Sequence, residues 1–210
     1  MEVIYGDYNY IPDGLIPEAS IELTINPIDL TTHWQRCGVL SDMIAAFISC
    51  AYPEGLKGHQ SVIFSSISTI FQELIENAAR HSRRREASIR VRLRHYNRVL
   101  RIEVQNEAAP GTRGKFEAHI RELLETEDLD SLYVQLLEDQ VADGKQGGIG
   151  LLLMLKDYPI KLGVRFGQGE SGREVVIVRV YYQLEMSDYG SAEDERPVSW
   201  RNKGGRVPSA

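Results

Sequence analysis

Cysteine is scarce in this chain, with two among 210 residues, Cys37 and Cys50. Both fall in a segment that reads as helix, and at about 100° per residue they point to nearly opposite sides, so they cannot pair. A disulfide scaffold is therefore excluded. Free thiols without a secretory leader lead to the expectation of a reducing, cytoplasmic compartment. Long apolar runs are missing too. None approaches the ~20 residues of a helical membrane span, so no membrane partner is expected. Positive charge is also short: 24 Lys and Arg stand against 30 Asp and Glu, for a net charge of -6 and a pI near 5.4. That balance argues against nucleic acid as the main partner. Internal repeats and low-complexity blocks are absent from the core. No Gly-Lys-Ser/Thr follows a glycine run, which excludes a P-loop.

The length suits one domain with a tail. A core of about 150 residues would bury roughly 70% of its unfolded surface, so no staple is required. Residues 1–19 show no clear period and read as an irregular arm. In 20–26, Ile21, Leu23 and Ile25 alternate with polar residues, as in a half-buried strand. Thr31 or Thr32 is placed to cap a helix running to about residue 51, with Trp34, Val39, Met43, Ile44, Phe47 and Ile48 as its apolar side. A second helix is expected over 59–82, where Ile63, Ile67, Ile70, Phe71, Leu74, Ile75 and Ala78 recur at three and four. Strands at 88–95 and 99–104 form a hairpin, and strands at 160–166 and 175–182 form another. Between the hairpins, 107–146 reads as a lid-like insert with amphipathic segments near 115–125 and 129–141, followed by a short apolar helix at 151–157. Residues 186–210 are polar and read as a disordered tail. The fold class that follows is α+β, a two-layer sandwich with helices on one face of a mixed, mainly antiparallel sheet over residues 20–185.

Three candidate features carry chemistry. On a helical wheel begun at Ile63, Glu73 falls at about 280° and Asn77 at about 320°, stacked one turn apart at the edge of the apolar stripe. Glu76 falls at about 220°, in solvent. A carboxylate and an amide so placed suit a metal-nucleotide site, although ordinary boundary residues would have the same spacing. His81, at about 0°, reads as a structural, hydrogen-bonded histidine, and Arg83-Arg84-Arg85 as a solvated helix end favoured by the dipole. The second feature is Gly144-Lys145-Gln146-Gly147-Gly148-Ile149-Gly150, ahead of Leu151. Glycines let backbone approach an anion, the next helix offers free N–H groups, and Lys145 adds a mobile charge.

The stretch from Glu73 through Asn77 to His81 resembles the N-box of the GHKL superfamily, which includes the gyrase B, heat-shock chaperone, histidine-kinase and mismatch-repair ATPases. Gly147-Gly148-Ile149-Gly150 resembles its later glycine box. The likeness spans about residues 20–184, and the leading strand and helix resemble those of stand-alone anti-sigma-factor serine kinases. A phospho-accepting dimerisation helix pair has no room, so a histidine kinase is not expected. The resemblance implies ATP and Mg²⁺ as cofactors. It gives Asn77 the Mg²⁺, Glu73 the role of general base or positioning carboxylate, and Gly147, Gly148, Gly150 and Leu151 the phosphates beneath a lid.

The third feature is a departure. The family's middle box is Asp-x-Gly-x-Gly, its aspartate accepting from the adenine amino group. Here Asn106 stands at the aspartate and Ala108 at the first glycine. Charged hydrogen bonds contribute about 1.5–3 kcal/mol against about 0.5–1.5 for neutral ones, so a weakening of about tenfold is expected, and Ala108 narrows access. The leading expectation is a serine/threonine kinase that phosphorylates a small regulator, STAS-like or sigma-factor-like, in a partner-switching pathway. A non-catalytic module that sequesters a regulator, and an ATPase coupled to dimer closure, are the alternatives. A homodimer is consistent with all three.

Overall fold

The computed structural model describes residues 2–50, 57–82, 87–108, 111–143, 148–169 and 172–184, with the side chains of 57–59 and 139–143 left aside. Among the described residues the fold is α+β, with six strands and six helices. The strands are β1 (Val3–Gly6), β2 (Ala19–Ile25), β3 (Ile89–Tyr96), β4 (Val99–Glu107), β5 (Ile160–Gln168) and β6 (Glu174–Gln183). The helices are α1 (Pro27–Thr32), α2 (Gln35–Ser49), α3 (Lys57–His81), α4 (Arg113–Glu125), α5 (Leu129–Asp143) and α6 (Ile149–Asp157). The strands form one sheet in the order β1-β5-β6-β4-β3-β2. Every pairing is antiparallel, rather than mixed. No described helix is long and apolar enough to cross a membrane.

Period-two alternation sorts each strand between two faces. Leu100, Ile102 and Val104 of β4, with Val176, Val178 and Val180 of β6, join the main core under the helices. Arg101, Glu103, Tyr181 and Arg179 point the other way and are buried all the same. What buries them is the arm. Instead of lying irregular throughout, residues 1–19 supply β1, which pairs Val3 with Phe166, and then cross the back of the sheet. Tyr8 and Ile11 are buried there. Asp13 bonds Arg101 at 2.9 Å and Arg179 at 3.0 Å, and Arg179 donates to the Tyr8 carbonyl at 3.1 Å. The guanidinium of Arg179 also lies 4.0 Å over the Tyr8 ring. Gly163 is what lets the arm lie flat, because a β-carbon there would run into the backbone of Tyr8. The boundary drawn at residue 20 thus divides a single packed unit.

Two helix expectations are corrected. The helix capped at Thr31 or Thr32 is two helices. Asn26 caps the first, its side chain accepting from the Ile28 N–H, with Pro27 opening the turn. The chain breaks at His33-Trp34 before α2 begins. The buried side of α2 is also rotated from the expected one: Cys37, Ser41, Ile44, Ala45 and Ile48 are buried, while Trp34, Val39, Met43 and Phe47 are exposed. Ile44 and Ile48 are buried as expected, and the rest of the packed side is made by the small side chains at 37, 41 and 45. Both thiols are free, as expected, with Cys37 buried and its pKa pushed up to about 11, chiefly by burial and then by the charge of Glu76.

The hairpin at Tyr96 turns through Asn97, the one non-glycine residue described with positive φ, a conformation asparagine tolerates. Strand β4 runs on past the expected residue 104 to Glu107, because its ladder to β6 continues through Asn106↔Val176 and Glu107↔Val175. The polar tail at 186–210 lies outside the described residues.

Candidate functional site

Helix α3 packs Ile67, Ile70, Phe71, Leu74 and Ile75 into the core. Glu73 and Asn77 sit half-buried at the edge of that stripe, as the wheel requires. There they meet Gly150 of α6. A β-carbon on Gly150 would overlap the Glu73 carboxylate and stand 3.8 Å from Asn77 Nδ2. Glycine at 150 is thus a condition of this corner.

Among the described residues, the side chain of neither Glu73 nor Asn77 has a hydrogen-bond or ion-pair partner. Burial, and then the charge of Glu76, raise the Glu73 carboxyl above its ordinary pKa, with Arg80 opposing. A half-buried carboxylate of raised pKa is a stronger proton acceptor than one in water. Glu76 is not in solvent as the wheel suggested. It is half-buried, accepts from Gln72 at 2.8 Å and lies 3.9 Å from Arg80, its neighbours one turn away on either side.

Beside this corner is a cavity of about 430 Å³, lined by residues from α3, β4, α4, β6 and α6. Of the residues singled out in the sequence, Asn77, Asn106, Gly148 and Leu151 line it together. Glu73 and Gly150 stand at its margin, outside the lining, while Lys145 and Gly147 lie outside the described residues. Leu74, Ala78, Val104, Ala108, Val176 and Val178 make an apolar floor. Among the described residues of the lining, Asn106, 7% exposed, is the one buried polar side chain. Its only hydrogen bond among the described residues is long, from Nδ2 to the Glu107 carbonyl at 3.5 Å. The Ala108 methyl lines the space without closing it. An apolar cavity of this size with a few convergent polar groups is the usual form of a small-molecule site.

Sequence reasoning expected a lid-like insert over 107–146, with a helix near 115–125, but named none of its side chains as site residues. Thr112, Arg113, Lys115, Phe116 and His119 line the same cavity, which places α4 over it as a cover. His119 Nε2 is 3.0 Å from the Gly148 carbonyl, joining the cover to the glycine turn. Gly148 has φ of 93°, a left-handed value that favours glycine. Lys115 and His119 are four apart on one helix, so their shared face was the available signal. Among the described residues Lys115 has no ion-pair partner. His81 is a correction. Rather than packing as a hydrogen-bonded core residue, it is exposed and lines the cavity mouth. The apolar stripe of α3 ends at Ala78 and Ala79, and the last turn projects past the packed core. Partial burial of the ring, and then the charge of Arg80, hold the His81 pKa below its ordinary value. Residues 83–85 lie outside the described residues.

No group of three or more His, Cys, Asp or Glu among the described residues is arranged to hold a metal ion. A cation in this cavity would therefore take much of its coordination from a ligand and water, as Mg²⁺ does when it accompanies phosphates. The chain matches no protein-family model and no curated protein sequence.

Proposed function

We propose that this chain has the histidine-kinase-like ATPase fold of the GHKL superfamily and is a cytoplasmic serine/threonine protein kinase of the anti-sigma-factor type. The observation that carries this reading is the convergence of Asn77, Asn106, Gly148 and Leu151 on one cavity, with Glu73 set against Gly150 at its edge. They come from three separate stretches of the chain, around residues 73–77, 106 and 148–151, and their meeting at one place supports the reading.

In this reading the purine base lies on the apolar floor toward Asn106, and the phosphates extend toward Gly148, Lys115 and the opening turn of α6. Bound with the nucleotide, Mg²⁺ would offset phosphate charge, and Asn77 is the residue to hold it. Glu73 accepts the proton of a serine or threonine hydroxyl on the partner. The hydroxyl oxygen bonds to the γ-phosphorus as the bond to the β–γ bridging oxygen breaks, and ADP leaves. Positioning and charge neutralisation do most of the work in such a transfer, so one carboxylate suffices. The partner proposed is a small regulatory protein, STAS-like or sigma-factor-like.

A second reading, a non-catalytic module that sequesters a regulator, is favoured by one observation: Asn106 occupies the place of a carboxylate. Calorimetry with Mg-ATP separates the two. Binding at micromolar to high-micromolar concentration, followed by transfer of the γ-phosphate to a protein recovered by pull-down, is expected. No binding at millimolar concentration would leave only the module.

Gly150→Val tests the corner itself. Its side chain would displace the Glu73 carboxylate, and a loss of ATP affinity of about tenfold or more is expected, read by the same titration. Gly38→Ala is the control. It lies within α2 with nothing near its β-position, and the change is expected to leave affinity unaltered and add about 0.5–1 kcal/mol of stability.

A further inference from the structure

We infer that Asn106 makes the base site permissive, so that the cavity accepts 6-oxopurine nucleotides, guanine and hypoxanthine, about as well as adenine. This rests on the nucleotide-binding reading above and concerns which base that site selects.

A buried carboxylate at position 106 could only accept. It would welcome the 6-amino group of adenine and repel the carbonyl oxygen that guanine carries there. A carboxamide offers one acceptor and two donors side by side. Facing adenine, Oδ1 accepts from the 6-amino group while Nδ2 donates to ring N1. With the amide turned over, Nδ2 donates to O6 and Oδ1 accepts from N1–H of guanine or hypoxanthine. Both pairings are two-pronged and both are neutral.

Two features of the structure leave that turn open. The only hydrogen bond that holds the amide, among the described residues, is the 3.5 Å contact to the Glu107 carbonyl, at the outer limit of a hydrogen bond. And its neighbours on the sheet side of the cavity, Val104, Ala108, Val176 and Val178, carry no side-chain donor or acceptor to favour one purine edge over the other, the polar groups of the lining coming from α3, Thr112 and α4. Discrimination between bases comes from buried polar groups left unpaired by the wrong ligand, and an amide free to turn leaves none unpaired with either base.

The test is calorimetry of the wild-type protein with Mg-ATP, Mg-GTP and Mg-ITP, and of Asn106→Asp with the first two. Dissociation constants for the three nucleotides within about fivefold of each other are expected for the wild type. Inosine triphosphate lacks the 2-amino group of guanine, so its binding reports on the O6 and N1–H edge alone. Asn106→Asp is expected to widen the preference for ATP over GTP by about tenfold or more. Wild-type binding of ATP with GTP and ITP weaker by more than about fiftyfold would overturn the inference and leave the ATP reading standing. Binding of none of the three at millimolar concentration would overturn both. The comparison within the wild type decides the matter even where Asn106→Asp folds poorly.

Discussion

Glu73→Gln is expected to lower phosphoryl transfer by about 10²–10⁴-fold while leaving Mg-ATP affinity within a few-fold of the wild type. Glutamine keeps the shape that fits against Gly150, so the corner stays formed. It cannot take up the hydroxyl proton. Single-turnover transfer from labelled ATP, with calorimetry on the same preparations, reads the two quantities separately. Turnover near the wild-type rate in the variant would remove Glu73 as the base.

The same substitution has a signature in stability that does not depend on activity. Burial raises the Glu73 carboxyl above its ordinary value of 4.5, so its ionised form opposes folding. That opposition is complete above the folded-state pKa. It declines as pH falls through that pKa and is gone below 4.5, where the group is protonated folded or unfolded. Glu73→Gln is therefore expected to be the more stable protein at neutral pH, with the advantage vanishing at low pH. Urea unfolding of both proteins across that range measures it. An advantage that grew on acidification would contradict the raised pKa.

Arg179→Met is expected to cost about 3 kcal/mol, a fall in Tm of roughly 6–12 °C. Arg179 is 6% exposed and Glu103 4%, and Nε donates to Oε2 at 2.6 Å. Removing the guanidinium leaves that oxygen buried without its charge, and also releases the Tyr8 carbonyl and Asp13. Arg92, 3.0 Å from the other Glu103 oxygen, limits the loss. Glu103→Leu combined with Arg179→Met is expected to recover most of the stability, since a buried ion pair contributes little beyond an apolar pair of similar volume. Thermal unfolding of the single and double variants measures this. A double variant no better than Arg179→Met would show that the arm, and not the unpaired charge, is what the arginine supports.

Much of the helical layer was legible because its signals are local. The stripe of α3 is written in spacings of three and four, and the same wheel put Glu73 and Asn77 at its edge. The hairpins were legible in their alternation and turns. Glu76 and His81 were misread because a wheel reports only the angle of a side chain: it shows neither the Gln72 and Arg80 side chains that meet Glu76 nor how far the packed layer extends along the helix past Ala79. The buried side of α2 was misread because bulk was taken for burial, whereas close helix packing favoured Cys37, Ser41 and Ala45.

The sequence by itself determined the α+β class, the order of most elements and the residues able to do chemistry, since periodicity and side-chain type are properties of short stretches. Only the tertiary structure decided that the arm is part of the sheet, because Val3 meets Phe166 through backbone pairing across most of the chain, and no local pattern encodes such a partner. It also decided how Asn106 is held, in a β4 ladder that continues along β6, and which side chains of α4 line the space near Asn77 and Gly148. A cavity is a relation between surfaces that several distant segments supply, and it exists only once they are packed.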